Sequence, residues 1–143
     1  MRVSELMNSN VISVSPEEPA VAAARLLDRH NIGSLPVCSP GGRLRGMVTD
    51  RDIVLRCVAA ECDPRTTQVR EIMTRGVVSV SPADDVREAA QKMAKKQVRR
   101  LPVVDDGGKV VGMLSLGDMA KSHGFDMEAS HALSEISTNI RKV

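Results

Sequence analysis

Gly46-Met47-Val48-Thr49-Asp50-Arg51-Asp52 runs from a short apolar stretch into a segment of helical spacing, and Gly112-Met113-Leu114-Ser115-Leu116-Gly117-Asp118 repeats that run sixty-six residues later. The same shift extends outward without a gap. Residues 3–54 lie over 69–120 with 18 identities in 52 pairs, counted position by position. Ser13-Val14-Ser15-Pro16 meets Ser79-Val80-Ser81-Pro82, and Leu35-Pro36-Val37 meets Leu101-Pro102-Val103. Self-similarity at a fixed period is the signature of a repeated supersecondary unit.

Each copy reads as strand, helix, strand, strand, helix. Val11–Val14 is apolar and β-branched, which favours a strand. Ser15, Pro16 and Glu18 have the spacing of a helix start, and Ala22, Ala23, Leu26 and Leu27 supply an apolar helical face. In the second copy Ser81, Pro82 and Asp84 precede the stripe Val86, Ala89, Ala90, Met93. Leu35–Cys38 and Leu44–Val48 are strands joined by a turn at Gly41-Gly42, matched by Leu101–Val104, Gly107-Gly108 and Val110–Leu114. A helix follows Thr49, with Ile53, Val54, Cys57 and Val58 apolar, and another follows Ser115. About fifty residues rarely bury enough surface to stand alone. The fold expected is therefore α/β (α+β), with two β-α-β-β-α units packed about a pseudo-twofold axis. The expected segments are 1–60, a linker at 61–68, 69–121, and a tail at 122–143 whose stripe Met127, Leu133, Ile136, Ile140 forms a helix.

Composition narrows the functional classes. Hydrophobic residues make up 42% of 143, with one Phe, no Trp and no Tyr, so base-stacking platforms are missing. Twenty basic residues face eighteen acidic ones, a net charge of +2 that speaks against nucleic-acid or membrane association. A basic patch of Arg70, Arg75, Lys95, Lys96, Arg99 and Arg100 is the only feature favouring nucleic acid. The start shows no long apolar run and no leader pattern, so a cytoplasmic protein is expected. Cys38, Cys57 and Cys62 lack zinc-ligand spacing and read as free thiols, with a disulfide or redox switch as the rival. His30, His123 and His131 have no local partner that would make a catalytic or metal centre. No HExxH, GxSxG, P-loop or GxGxxG occurs. The chain is not expected to be an enzyme.

Thr49-x-x-Asp52 and Ser115-x-x-Asp118 are first of all helix-capping boxes, in which the hydroxyl accepts a backbone N–H and the carboxylate faces the positive helix end. The same geometry suits a ligand. A carboxylate at a helix start can accept both hydroxyls of a ribose diol, and the neighbouring hydroxyl can meet sugar or phosphate oxygens. Gly46 and Gly112 would let backbone approach a ligand closely. Capping and binding are compatible.

The ordered, duplicated set formed by Met7, Ser15-Pro16, Leu35-Pro36-Val37, Gly41-Gly42, Gly46 and Thr49-Asp50-Arg51-Asp52 resembles the CBS domain, over residues 3–120. The resemblance implies a tandem pair (a Bateman module), often a homodimer through its helices, with clefts between the repeats for adenine nucleotides or adenosyl compounds. Thr49 and Asp52 then match ribose and phosphate contacts in one cleft, Ser115 and Asp118 in the other. Ile32, Gly33 and Ser34 match positions lining the base, with Val98, Arg99 and Arg100 as counterparts. Ile12 and Met47, or Val78 and Met113, add apolar wall; Met7 and Met73 extend it. Arg100, with Arg99 beside it, fits a basic residue that reaches a phosphate toward Asp52, whereas Ser34 in the equivalent place carries no charge. The Asp52 cleft is therefore expected to be the stronger site.

The function so implied is a stand-alone regulatory module. It senses AMP, ADP, ATP, NAD or S-adenosylmethionine and signals to a separate protein. No cofactor is required, and magnesium would accompany a bound nucleotide. The competing reading is a structural dimerisation scaffold with degenerate clefts. Intact Thr49, Asp52 and Arg100 weigh against the scaffold, while Ser34 and Leu116-Gly117 favour partial loss.

Overall fold

A computed structural model describes residues 1–121 and 126–141. The helices are α1 (Val3–Leu6), α2 (Ala20–His30), α3 (Asp50–Ile53), α4 (Val69–Ile72), α5 (Val86–Lys96), α6 (Leu116–Ala120) and α7 (Asp126–Arg141). A π-helical turn, Val54–Val58, continues α3. Strands β1 (Ser34–Cys38) and β2 (Leu44–Thr49) form one two-stranded sheet, and β3 (Arg100–Val104) and β4 (Val110–Ser115) form another.

The sequence repeats and the compact units are not the same segments. One unit holds residues Met1–Val11, Val78–Gly107 and Val111–Val143; the other holds Ile12–Val77 and Gly108–Val110. Each unit thus takes its opening helix from the other repeat. Main-chain hydrogen bonds explain this. Val69 and Arg70 donate to the carbonyls of Glu18 and Pro16, both at 2.9 Å. Sixty-six residues earlier, Val3 and Ser4 donate to Asp84 and Pro82 at 2.8 and 3.0 Å. Val69, Ile72 and Met73 enter a core with Val14, Ala20, Ala23, Leu27, Leu35, Val37, Val48 and Cys57. Val3 enters the second core, with Val80, Val86, Met93, Leu101, Val103, Leu114 and Met119.

These bonds also relocate the helix starts expected at Ser15 and Ser81. The carbonyls of Pro16 and Glu18 are engaged by residues 70 and 69, so Ser15–Glu18 closes a turn (Glu18 N to Ser15 O, 3.3 Å) and α2 begins only after Pro19. The first N–H groups of α2 find carbonyls instead of a side-chain cap: Ala20 donates to Thr67 and Val21 to Pro64, at 2.7 and 2.9 Å. Segment 61–68, read from sequence as a linker, therefore serves as the cap of α2. In the second repeat Asp85, not Ser81, caps α5 by accepting the Arg87 N–H at 2.8 Å.

The strand expected at Val11–Val14 is reduced to a parallel bridge between Val14 and Val37. Val14 donates to Pro36 (3.2 Å) and accepts from Cys38 (2.9 Å). The next rung would need an N–H from Pro36, which proline lacks, so the ladder stops. Val80, Pro102 and Val104 repeat the bridge, at 3.1 and 2.8 Å.

The β1–β2 hairpin pairs Ser34 with Thr49 and Pro36 with Met47, with a bulge at Val37/Cys38. Its turn places Gly41 and Gly42 at φ 94° and 88°, a region costly for other residues. In α7 the buried positions are Ala129, Ala132 and Ile136. Leu133, expected on that stripe, is exposed. Met127 and Ile140 lie outside the residues whose side chains are described. The turn after α3 also differs from its expected apolar face, since Cys57 is buried while Val54 and Val58 are exposed.

Cys38 and Cys57 are buried and Cys62 is exposed, all as free thiols. Burial pushes the Cys38 thiol pKa up, and a hydrogen bond from Ser13 offsets part of that rise. Ellman's reagent should therefore titrate one thiol quickly in the native protein, Cys62, and reach Cys38 and Cys57 only in denaturant. A second expectation concerns Gly46. A Cβ there would stand 2.6 Å from the Thr74 carbonyl oxygen, which is backbone and cannot swing aside. Gly46→Ala should cost about 1–3 kcal/mol in urea denaturation. Gly117→Ala, in α6 and with its nearest neighbour at 3.6 Å, should instead stabilise the protein by about 0.4–1 kcal/mol.

Candidate functional site around Asp52

Strand β2 delivers Thr49 to the start of α3 in extended conformation, and the capping box closes there. The Thr49 hydroxyl accepts the Asp52 N–H at 3.0 Å, and Asp52 Oδ2 accepts the Thr49 N–H at 3.0 Å. Asp52 is 8% exposed and is the buried charged side chain among the described residues. Burying a carboxylate is costly unless its oxygens are satisfied, so its surroundings matter.

Two residues not singled out from sequence surround it. The Thr74 hydroxyl lies 3.4 Å from each carboxylate oxygen. Arg56 places Nη1 3.9 Å from Oδ1, while the same nitrogen donates to the carbonyls of Ile72 and Met73, both at 3.1 Å. Those carbonyls end α4, where a cation is favoured. Thr74 is held by a reciprocal backbone pair with Met47, at 2.8 and 3.0 Å. Gly46 makes that approach possible because it has no Cβ to meet the Thr74 carbonyl. The close approach attributed to Gly46 is thus to the chain itself. The separation of twenty-two residues between Asp52 and Thr74 hides their meeting from any local spacing rule.

The other expected residues fall into the two units as follows. Ile12 and Ile32 are half-buried against the core that contains Val48. Gly33 accepts the Asp50 N–H at 3.0 Å, Ser34 pairs with Thr49, and Met47 is buried in β2. These five share one unit with Thr49 and Asp52. Val78, Val98, Arg99, Arg100, Met113, Ser115 and Asp118 share the other. There, Leu116 N donates to Arg99 O at 3.0 Å, the counterpart of Asp50 to Gly33. Arg99 and Arg100 are exposed, and Val78 and Val98 are half-buried. Ser115 and Asp118 repeat the capping box at 3.0 and 3.1 Å. Met113 pairs with Asn8 through backbone bonds of 2.8 and 2.9 Å, and Gly112 faces Met7 and Asn8.

His30 and His131 are exposed, and His123 lies outside the described residues. Among the described residues no three His, Cys, Asp or Glu gather as a metal site, and no helix is long and apolar enough to cross a membrane.

Comparison with known proteins agrees with the duplicated arrangement. The model of the CBS domain matches residues 3–58 and again 69–123. The chain is 42% identical over 135 residues to the CBS domain-containing protein YhcV of Bacillus subtilis (strain 168), covering 94% of each. Among solved structures it is similar to Hypoxic Response Protein I with two coordinated zinc ions (TM-score 0.79, 36% identity, 85% of this chain and 98% of that one). It is also similar to the CBS domain pair of protein MJ0100 in complex with 5′-methylthioadenosine and S-adenosyl-L-methionine (TM-score 0.76, 31% identity, 87% of this chain and 96% of that one). The chain therefore belongs to the CBS-domain family and carries that domain twice in tandem.

Proposed function

We propose that the chain is a regulatory module that binds an adenosine-containing ligand at Thr49 and Asp52 and passes the signal to a separate protein. The observation that carries this reading is the buried Asp52 carboxylate at a helix start. Thr49 O–H, whose oxygen already accepts the Asp52 N–H, retains its own proton for a sugar or phosphate oxygen. Ile12, Ile32, Gly33, Ser34 and Met47, which share a unit with Thr49 and Asp52, would line the base. That the CBS domain pair of MJ0100 was solved with two adenosyl compounds supports the ligand class. A ligand signals only through its differential affinity for two states of the protein.

Self-association is proposed through the turn after α3. Val54, Leu55 and Val58 are 54%, 49% and 63% exposed on adjoining positions of one helical surface. Large apolar side chains exposed together favour a protein contact. Light scattering should show a dimer, and Leu55→Glu with Val58→Glu should yield a monomer that still melts cooperatively. A monomeric wild type would rule out the dimer.

Thermal melting with AMP, ATP, NAD and S-adenosylmethionine tests the ligand. At a hundredfold excess over its Kd, a true ligand adds about 2.7 kcal/mol. That raises the melting temperature by roughly 5–10 °C for a chain of this size. Asp52→Ala should abolish most of the shift and Asp118→Ala less of it. Equal losses would refute the unequal sites, and no response to any of the four would favour the scaffold.

A further inference from the structure

Resting on that reading of Asp52, we propose that Thr74 is a positioning residue for ligand recognition: its hydroxyl occupies one acceptor site of the Asp52 carboxylate and fixes the remaining ones toward a ribose diol. An ionised carboxylate offers about four acceptor sites. The Thr49 N–H takes one on Oδ2. The Thr74 hydroxyl, equidistant from the two oxygens at 3.4 Å, takes another. About two are left, the number of donors in a vicinal diol. With the capping bond alone, one oxygen is tethered and the carboxylate plane can still turn about it. The hydroxyl provides a second point of attachment from a different element.

Arg56 acts one step behind. Both hydrogens of its Nη1 are directed to the carbonyls of Ile72 and Met73, so it offers Asp52 charge at 3.9 Å and not a hydrogen bond. Its guanidinium is half-exposed, which makes the charge itself worth little. What it does is fasten the end of α4 immediately before Thr74.

The second repeat supplies an internal contrast. Sixty-six residues from Thr74 and Arg56 stand Asn8 and Ser122. The Asn8 side-chain oxygen accepts the Asn10 N–H at 3.0 Å. Among the described residues, the Asp118 carboxylate accepts the Ser115 N–H and nothing from Asn8. Among the described residues the braced carboxylate is that of Asp52, which favours that site for ribose.

The test compares AMP with 2′-deoxy-AMP by calorimetric titration of the full chain. Wild type should prefer AMP. Thr74→Val, which keeps shape and removes the hydroxyl, should weaken AMP roughly 2- to 13-fold, the net worth of one ordinary hydrogen bond. It should leave 2′-deoxy-AMP within about twofold, since that ligand has no diol to lose. Thr74→Ser should restore the preference, and Arg56→Gln should reduce it partly. Simple destabilisation would weaken both ligands alike, and an unchanged AMP to 2′-deoxy-AMP ratio in Thr74→Val overturns the proposal. Should wild type bind neither nucleotide, or Asp52→Ala bind AMP normally, the ligand reading itself fails and this inference with it. A selective wild type that needs Asp52 but not Thr74 sinks the inference alone.

Discussion

The structure depends on a handful of main-chain hydrogen bonds that join segments far apart in sequence. Val69 and Arg70 bond to Glu18 and Pro16, and Val3 and Ser4 bond to Asp84 and Pro82. These bonds fix where α2 and α5 can begin, because they take carbonyls that would otherwise point along a helix axis. They also seat Val69, Ile72 and Met73, or Val3, in a core otherwise built mainly by the other repeat. A two-stranded sheet is stable in water only when helices pack against it. The borrowed segment supplies packing surface and caps the helix at the same time.

The candidate site follows from the same arrangement. Once α4 is docked, the chain leaving it runs beside β2, and Gly46 lets Thr74 come within backbone hydrogen-bonding distance of Met47. Thr74 then reaches a carboxylate set by a purely local capping box. Asp52 is therefore specified twice, once by a four-residue motif and once by a tertiary contact. In the other repeat the glycine and the backbone pairing persist at Gly112, Met113 and Asn8. There the residue brought alongside is an asparagine that spends its oxygen on its own turn. Two sites that look equivalent as motifs differ in what the packing delivers to them.

Elements governed by local chemistry were legible in the sequence. The strands around Gly41-Gly42 and Gly107-Gly108, the capping boxes at Thr49 and Ser115, and α7 all lie where spacing and turn residues place them. Elements decided by long-range bonds were not. Ser15-Pro16 has the form of a helix start, yet its carbonyls serve residue 70, and Val11–Val14 has strand composition, yet Pro36 denies it a second rung. The same division holds at the site. Thr49 and Asp52 announce themselves by spacing, whereas Thr74 and Arg56 acquire meaning only once α4 is docked. Leu133 shows a smaller form of the limit, since the face α7 buries is chosen by small residues, Ala129 and Ala132, that carry little hydropathy signal.

The exchange of opening segments bears on how such a chain could arise. A single ancestral repeat would have lacked the docking partner for its own first residues unless a second copy supplied it. Two free copies trading those residues would have formed an obligate pair by segment swapping. Joining their genes end to end would preserve every traded contact and remove the concentration dependence of assembly. It would also free each half to drift independently, which is how a threonine could persist in one place while an asparagine settled in its twin.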